Sequence, residues 1–513
     1  MSEASRTKRT LQNSRMSLLL FLVQIFVGFY SRKIFLDYLG AEVLGLNTTL
    51  GNILSFMNLA ELGIGIAMAT SLYKPIHENN QDTICEIITV QGWLYRRVAL
   101  LILVAGVAVM ALLPFIFPNT ECGLAYVYIA FSVFLFGSLA SYLWNYRQVL
   151  IYADQKNFKI MPWLHGVRYT VMALQIGGFM LLHLGIWGWI GFEFAGSVAT
   201  IFVVNHVLKK EYPWLHPSSA STKTLLTKYR DLIVKTKQLF VHKLGSFVLD
   251  QTAPLIIYAF VSLSMVTYYG NYMIVMSYVS VLLNTIFTGM GASIGSLVAE
   301  GNRRHTMKVF GELFTSRIWI SAMACFGIYL FIAPTISLWL GEQYVLSHRT
   351  LIFLLIGMFI RYSRSVIDSF KEAYQLFADV WAPVTEAGIN LGCSVAFGYL
   401  WGLDGIIMGS NLSLILIVVL WKPYYVFKNG MRSSFWAYYR DYALHLVLLT
   451  STAIALVMVW PTHEQPSIGF MQLLELLPCY LAYVMVTFAL LFATTKGMRL
   501  FALRIINIIS HRL

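Results

Sequence analysis

The stretch VALLILVAGVAVMALLPFIF, residues 98–117, contains no charged side chain. A helix needs about 20 apolar residues of this kind to cross the hydrocarbon layer of a bilayer. Similar runs recur along the whole chain of 513 residues, of which 58% are hydrophobic and 12% are charged. A soluble domain carries about 25% charged residues. The composition therefore predicts a protein that lies mostly in lipid.

The length of these runs predicts helices. Lipid offers no hydrogen-bond partner to exposed backbone groups, so a spanning segment is either a helix or a strand of a closed barrel. Barrel strands are short and alternate between apolar and polar residues, whereas the runs here are long and uniformly apolar. We therefore expect an all-α polytopic membrane protein with about fourteen transmembrane helices, whose ends are fixed to within about 2–4 residues.

The basic residues predict the orientation of the chain. Most of its 37 Lys and Arg residues fall in alternate loops and in both terminal segments, and such residues mark the cytoplasmic side. They include Arg6, Lys8, Arg9 and Arg15, then Lys209, Lys210 and Lys223, then Arg303, Arg304, Lys308 and Arg317, and finally Lys496, Arg499 and Arg504. We expect a multi-pass protein of the cell (cytoplasmic) membrane with both termini in the cytoplasm. Because the positive charge is spread over many loops, we expect no nucleic-acid partner.

A polar segment divides the apolar runs into groups. Residues 209–238 are rich in Lys, Ser, Thr and Pro and form a predicted cytoplasmic linker. Before it we place an N-lobe of six spans, residues 1–208, and after it a C-lobe of six spans, residues 239–426. Residues 427–513 are expected to add two further spans and a basic cytoplasmic tail.

Two similar glycine motifs suggest that the lobes are repeats. Leu62-Gly63-Ile64-Gly65 and Thr288-Gly289-Met290-Gly291 occupy corresponding places, and repeated halves around a central site are the usual plan of secondary transporters. Alternatively, glycines in membrane helices only allow close packing, as expected for Gly405 and Gly409. The sequence leaves both interpretations open.

No catalytic or metal-binding motif stands out. The five cysteines are far apart, and their spacing predicts neither a disulfide framework nor a metal site. The segment Gly291-Ala-Ser-Ile-Gly295 fits the G-x-S-x-G pattern of hydrolases. That serine requires a strand-to-helix elbow, whereas here it lies in a predicted membrane helix, so close packing is the better interpretation. We expect no enzymatic activity, no metal and no cofactor.

The tenth apolar run carries the most informative residues. Arg361, Arg364, Asp368, Lys371 and Glu372 follow steps of three, four and seven, which place them on one helix face. Each charge at a lipid-facing helix centre costs about 2.5–3.5 kcal/mol. This face must therefore contact protein or water. Buried ion pairs between helices are one alternative, and the last two residues could also reach the cytoplasmic interface.

Polar residues in other runs predict a hydrated central cavity between two six-helix lobes. The candidate substrate-binding residues are Arg32, Arg168, Arg361, Arg364 and Lys371, and the candidates for ion coupling or a latch between the lobes are Glu61, Asp250 and Asp368. Arginine grips phosphate with two parallel hydrogen bonds, and lysine adds a point charge. The set suits an anionic head group that carries sugars, although a drug or another organic anion would fit the same composition.

Several segments resemble a known family. They are SRKIFLDYLG at residues 31–40, LGLN at 44–47, LAELGIG at 59–65, SLYKP at 71–75, YADQKNF at 152–158, FKEA at 370–373, DVWAP at 379–383, GLDG at 402–405 and WKP at 421–423. Together they resemble the Wzx-like oligosaccharide flippases of the multidrug/oligosaccharidyl-lipid/polysaccharide exporter superfamily, over residues 15 to 440. The family often has a glycine after FKEA, where this chain has Tyr374.

The resemblance implies two lobes, fourteen helices and a flippase. The implied substrate is an undecaprenyl-diphosphate-linked oligosaccharide, moved to the outer leaflet for O-antigen, capsule or exopolysaccharide assembly. The expected partners are this lipid-linked oligosaccharide, membrane lipid, a coupling ion (proton or sodium) and polysaccharide polymerase machinery. The first rival is a cation-coupled drug or small-molecule antiporter of the same superfamily, and the second is a membrane polysaccharide polymerase or acyltransferase.

Overall fold

The chain is a helical membrane protein. Its computed structural model describes residues 3–61, 64–118, 120–230, 232–233, 236, 251–287, 290–376, 378–460 and 470–510. Within these ranges there is no strand, and nine helices are long and apolar enough to cross a membrane. The predicted all-α polytopic class is therefore confirmed, and the number of about fourteen spans stays a prediction.

The chain folds as two compact units. Unit 1 comprises Met1–Tyr258 and Ser262–Thr267, and unit 2 comprises Ala259–Val261 and Tyr268–Leu513. Within the predicted linker, residues 209–238, positions 231, 234, 235, 237 and 238 lie outside the described residues. The limits predicted for the linker, the two lobes and the C-terminal segment stay predictions.

Unit 1 contains nine described helices and the start of a tenth. They are α1 (Glu3–Met57), α2 (Ile64–His77), α3 (Gln81–Ile116), α4 (Gly123–Leu143), α5 (Val149–Ala153), α6 (Asn157–Leu182), α7 (Gly185–Glu211), α8 (Thr222–Lys228), α9 (Gln251–Phe260) and α10 (Leu263–Phe287). Short 3₁₀ turns at Asn58–Glu61 and Tyr146–Gln148 connect successive helices.

Unit 2 contains most of α10 and the remaining helices. They are α11 (Met290–Ala299), α12 (Arg303–Leu340), α13 (His348–Ser363), α14 (Ser365–Ala373), α15 (Trp381–Ser413), α16 (Lys422–Val426), α17 (Phe435–Val459), α18 (Phe470–Glu475), α19 (Leu477–Thr494) and α20 (Lys496–Ser510). Two π-helical segments, Leu414–Trp421 and Phe427–Met431, flank α16.

Glycines break two of the longest helices. Gly40 has φ 78° within α1, and Gly402 has φ 58° within α15. Glycine enters this left-handed region without the steric penalty of a side chain. Each glycine thus ends one helical segment and starts the next within a single residue.

The two units repeat the same local turns. Asn80 and Asn302 each cap the following helix by accepting a hydrogen bond from the backbone N–H three residues later. Gln155 and Gln375 each end a helix in the left-handed conformation, with φ 57° and 54°. These matched turns favour the repeat over simple glycine packing, although Gly63 and Gly289, which first suggested it, lie outside the described residues.

Close packing is also present, at the glycines where it was expected. A methyl group at Gly405 would overlap the backbone of Phe397, and one at Gly409 would overlap the backbone of Ser394. The two segments of α15 on either side of Gly402 therefore pack backbone against backbone, which small residues permit.

Replacing Gly409 by alanine is expected to destabilise unit 2 by about 1–3 kcal/mol, because overpacking forces the backbones apart. Gly392 provides a matched control in the same helix, since a methyl group there meets nothing within 4 Å. Thermal unfolding of the two alanine variants in detergent measures the difference. Equal unfolding temperatures would contradict the close approach at Gly409.

The C-terminal helices belong to the core of unit 2. The ring of Tyr483 in α19 stacks on Phe326 in α12 with centroids 4.1 Å apart. The Trp319 indole N–H donates to the Thr487 hydroxyl at 3.1 Å. Helices α12 and α19 therefore share apolar and polar contacts.

Candidate functional site

The charged face of the tenth apolar run lies on two helices. Helix α13 ends at Ser363, and α14 begins at Ser365, so Arg364 occupies the junction. Arg361 is exposed, and the side chains of Arg364 and Asp368 are 34% and 31% exposed. A face with partly exposed charged side chains is therefore present within a candidate membrane-spanning region of unit 2.

Asp368 joins this face to α16. Its Oδ2 lies 3.3 Å from Arg364 Nε, and its Oδ1 lies 3.4 Å from Lys422 Nζ. Lys422 follows the π-helical segment Leu414–Trp421. π-Helical turns are rare and are frequent at functional sites. One carboxylate thus bridges cations from two different helices.

A second carboxylate lies beside the same cations. Glu386 in α15 is only 2% exposed, and its Oε1 has no hydrogen-bond partner among the described residues. Lys422, Arg364 and Arg361 lie within electrostatic range of this carboxylate. We name Arg361, Arg364, Asp368, Glu386 and Lys422 the unit 2 charge cluster; it holds three cations and two carboxylates.

A buried arginine holds the helix junction in place. Arg317 is 1% exposed, and its Nε donates to the Tyr362 carbonyl at 2.7 Å. The last carbonyls of a helix have no intrahelical donor, so Arg317 supplies one at the end of α13. The Tyr362 hydroxyl in turn donates to the Met276 carbonyl of α10 at 2.9 Å. Arg317 had been assigned to a cytoplasmic flank, but the structure buries it inside α12.

Lys371 lies on the same run but pairs elsewhere. Its Nζ lies 2.6 Å from the Asp379 carboxylate, and the two side chains are 14% and 3% exposed. The Trp421 indole N–H donates to the same carboxylate at 3.3 Å, and the Tyr425 ring lies 5.6 Å from the ammonium. We call this arrangement the unit 2 lock.

Unit 1 contains a similar arrangement beside Gln155, which has the left-handed conformation. Lys156 Nζ lies 2.7 Å from Asp154 Oδ2, which also accepts the Tyr212 hydroxyl at 2.8 Å. The Tyr212 ring lies 4.8 Å from the same ammonium. In each unit, a lysine, an aspartate and an aromatic ring therefore pair next to the turn.

Glu61 is held by two tyrosines in unit 1. Its Oε1 accepts the Tyr95 hydroxyl at 2.9 Å, and its Oε2 accepts the Tyr142 hydroxyl at 2.8 Å. Both tyrosines are at most 5% exposed. The 3₁₀ turn Asn58–Glu61 places the carboxylate between α3 and α4. Two hydroxyl donors can hold a carboxylate without a cation.

The remaining predicted residues lie in different surroundings. Arg32 donates to the Thr267 carbonyl at 3.4 Å. Arg168 is exposed and lies within electrostatic range of Glu193, which accepts a hydrogen bond from Gln175 at 3.3 Å. Asp250 lies outside the described residues. The structure therefore groups Arg361, Arg364 and Asp368, and the binding and coupling roles of all eight candidates stay predictions.

Sequence reasoning missed two members of the unit 2 charge cluster as site residues. Neither Glu386 nor Lys422 is among the site residues that the sequence predicts. Glu386 and Asn390 are 2% and 1% exposed, so the signal was their spacing of four in an apolar helix, which places both on one face. No pattern in the sequence indicated that Lys422 would lie near Asp368.

The hydrolase-like pattern has no hydrolase setting. Ser293 lies within α11, Met290–Ala299, and not at a strand-to-helix turn as the pattern requires. Among the described residues, no group of three or more His, Cys, Asp and Glu side chains could hold a metal ion.

Comparison with known proteins agrees with a transporter fold. No family model matches the chain. The chain is 24% identical over 435 residues to the "Putative O-antigen export protein" of Yersinia pseudotuberculosis. The alignment covers 79% of this chain and 92% of that protein.

Two solved structures share the fold. The "Lipid II flippase MurJ, inward closed conformation" has a TM-score of 0.59 at 12% identity, and the superposition covers 93% of this chain and 99% of the MurJ chain. A "multidrug resistance MATE family transporter of the MOP superfamily" has a TM-score of 0.51 at 13% identity, and the superposition covers 79% of this chain and 94% of the transporter chain. The comparisons confirm the resemblance of this chain to the flippases of the multidrug/oligosaccharidyl-lipid/polysaccharide exporter superfamily.

Proposed function

We propose that this protein is a flippase for undecaprenyl-diphosphate-linked oligosaccharide repeat units. It would move them from the cytoplasmic to the outer leaflet of the cell membrane, for the assembly of a surface polysaccharide such as O-antigen, capsule or exopolysaccharide. The observation that carries this proposal is the unit 2 charge cluster, in which partly exposed cations lie inside a membrane-spanning unit. The name of the Yersinia relative and the fold shared with a lipid II flippase support it.

The chemistry of the cluster suits a diphosphate head group. Arg361 and Arg364 offer planar guanidinium forks that match phosphate oxygens, and Lys422 adds a compact charge. The polyprenyl tail would stay in lipid while the diphosphate and the sugars follow the polar face. Alternating access of this kind neither makes nor breaks a covalent bond, so the proposed activity needs no catalytic residue.

The proposal also includes the orientation of the chain, the driving ion and the protein partners. Both termini would be cytoplasmic, as the basic loops indicate. A proton or a sodium ion would drive transport, with Glu61 as the first candidate for coupling because two buried tyrosines hold its carboxylate in unit 1. The polymerase machinery of the surface polysaccharide would take up the exported units.

A reconstitution experiment tests the substrate. Proteoliposomes containing the purified chain and undecaprenyl-diphosphate-linked oligosaccharide are expected to expose the glycan to an external glycosidase faster than protein-free liposomes. The same glycan on undecaprenyl monophosphate is the control, because a bidentate arginine site favours the larger anion. Equal exposure with and without protein would contradict the proposal.

A second candidate function is a cation-coupled drug or small-molecule antiporter. Glu61, held by two tyrosines, favours it, because a carboxylate in the N-terminal unit is the expected binding site of a coupling proton or sodium ion. The fold shared with the MATE transporter is compatible with it. Efflux of a cationic dye from the same proteoliposomes, without any movement of the lipid-linked glycan, would favour the antiporter.

A further inference from the structure

Asp368 is held more loosely than the other paired aspartate of its region. Its two cation contacts measure 3.3 and 3.4 Å, and its side chain is 31% exposed. Asp379 in the unit 2 lock has its lysine at 2.6 Å and is 3% exposed. Strong charge-assisted N–H···O bonds measure about 2.7–2.9 Å. Asp379 is therefore a fixed structural partner, whereas Asp368 can be displaced.

The carboxylate of Asp368 also occupies the place that an anionic ligand would take. One oxygen faces Arg364 and the other faces Lys422. Carboxylate and phosphate present oxygens of similar geometry to a guanidinium group. A phosphate that bound between the two cations, at Arg364 Nε and Lys422 Nζ, would therefore replace Asp368.

Glu386 stays beside the cations during this exchange. It is buried, and its carboxylate lies within electrostatic range of Lys422, Arg364 and Arg361. It therefore offsets part of their positive charge whether Asp368 or the ligand occupies the position between Arg364 and Lys422. Isolated charges in a membrane interior are costly, so the empty site is stabilised by Asp368 and the occupied site by the ligand.

We propose that Asp368 is an internal competitor of the diphosphate. It occupies the anion position between Arg364 and Lys422 when no substrate is bound, it yields to the substrate, and it returns as the substrate leaves. The inference rests on the proposed function and assigns Asp368 a role in specificity and release. A monophosphate, with fewer oxygens and less charge, displaces it less effectively than a diphosphate.

The test measures the affinity of the full-length protein in lipid nanodiscs for farnesyl diphosphate and for farnesyl monophosphate. Asp368→Asn keeps the shape of the side chain and removes its charge. We expect this variant to bind farnesyl diphosphate about tenfold more tightly than the wild type. A tenfold gain in affinity corresponds to the free energy of about one charge-assisted hydrogen bond. Asp368→Glu, which keeps the charge, is expected to remain within about threefold of the wild type. In cells, Asp368→Asn is expected to export less glycan at equal membrane abundance, because release becomes slow.

Glu372→Gln is the matched control. Glu372 is an exposed carboxylate on the same helix, outside the unit 2 charge cluster, so its replacement removes a charge without opening the anion position. If both variants tighten binding equally, the effect is a general field effect and the proposal is wrong. Unchanged or weaker binding by a folded Asp368→Asn protein also overturns it.

The measurements distinguish a failure of the proposed flippase function from a failure of the competitor role of Asp368. A wild-type protein that does not prefer farnesyl diphosphate to the monophosphate contradicts the proposed function as well. A wild-type protein that shows this preference, with no gain in Asp368→Asn, contradicts the competitor role alone. Thermal unfolding of each nanodisc sample establishes that the variant is folded before its affinity is compared.

Discussion

Replacing Arg361 and Arg364 together by alanine is expected to abolish export of the surface polysaccharide while the protein remains in the membrane. Each guanidinium that contacts phosphate contributes about 1.5–3 kcal/mol, so losing two weakens binding by roughly a hundredfold or more. Both side chains are at least one-third exposed, and their removal leaves no large cavity. Surface polymer output is the measurement, with membrane abundance determined by immunoblotting.

Two controls separate charge from geometry. Arg349→Ala removes an exposed arginine at the start of α13 and is expected to leave export unchanged. The double lysine variant keeps both charges and loses the planar forks, so we expect an intermediate defect. Normal polymer output from the double alanine variant at normal abundance would remove these arginines from the proposed binding role.

Replacing Lys371 by alanine is expected to destabilise unit 2 by about 3–5 kcal/mol, because Asp379 would then be a buried carboxylate without its cation. The pair lies at 2.6 Å, and Asp379 is 3% exposed. The unfolding temperature of the purified variant should fall sharply, and its abundance in membranes should fall with it.

The double variant Lys371→Met with Asp379→Asn decides between a structural and a binding role. Replacing both partners removes the uncompensated charge, so we expect it to recover most of the lost stability. If Lys371 acts only within the unit 2 lock, the recovered protein exports glycan. A stable double variant without export would instead support the substrate contact predicted from the sequence.

Local spacing was predictable, and contacts between helices were not. The step of four from Arg364 to Asp368 fixes their pairing along one helix face, so the sequence indicated it. The neighbours Lys422 and Glu386 come from other helices, and no local pattern specifies which helices meet. Arg317 was assigned to the cytoplasm because a basic residue near a loop usually lies there. Its buried position, with Nε at the Tyr362 carbonyl near the end of α13, comes from a contact between helices that the loop pattern does not indicate.

Breaks in the helices were likewise predictable only where a local residue type signals them. Glycines at 40 and 402 are ordinary signals for a break, and both take the left-handed conformation. The left-handed Gln155 and Gln375 are less usual, because a side chain makes that conformation unfavourable. Glu61 was selected as a membrane carboxylate, but its two tyrosine donors lie 34 and 81 residues away in sequence. Only the packed helices reveal them.

The π-helical segment Leu414–Trp421 sets the angle at which Lys422 leaves its helix. Its backbone hydrogen bonds run from residue i to i+5, so each turn contains more residues than an α-helical turn. Deleting one residue, such as Ile417, would let the backbone close as an ordinary α-helix, and the tighter turn would make up for the missing residue and keep Lys422 near Asp368. The full-length segment in an ordinary α-helix would instead advance about 100° per residue, and Lys422 would turn away from Asp368 although no charge had been lost. The wide turn therefore holds these two side chains together as much as their charges do.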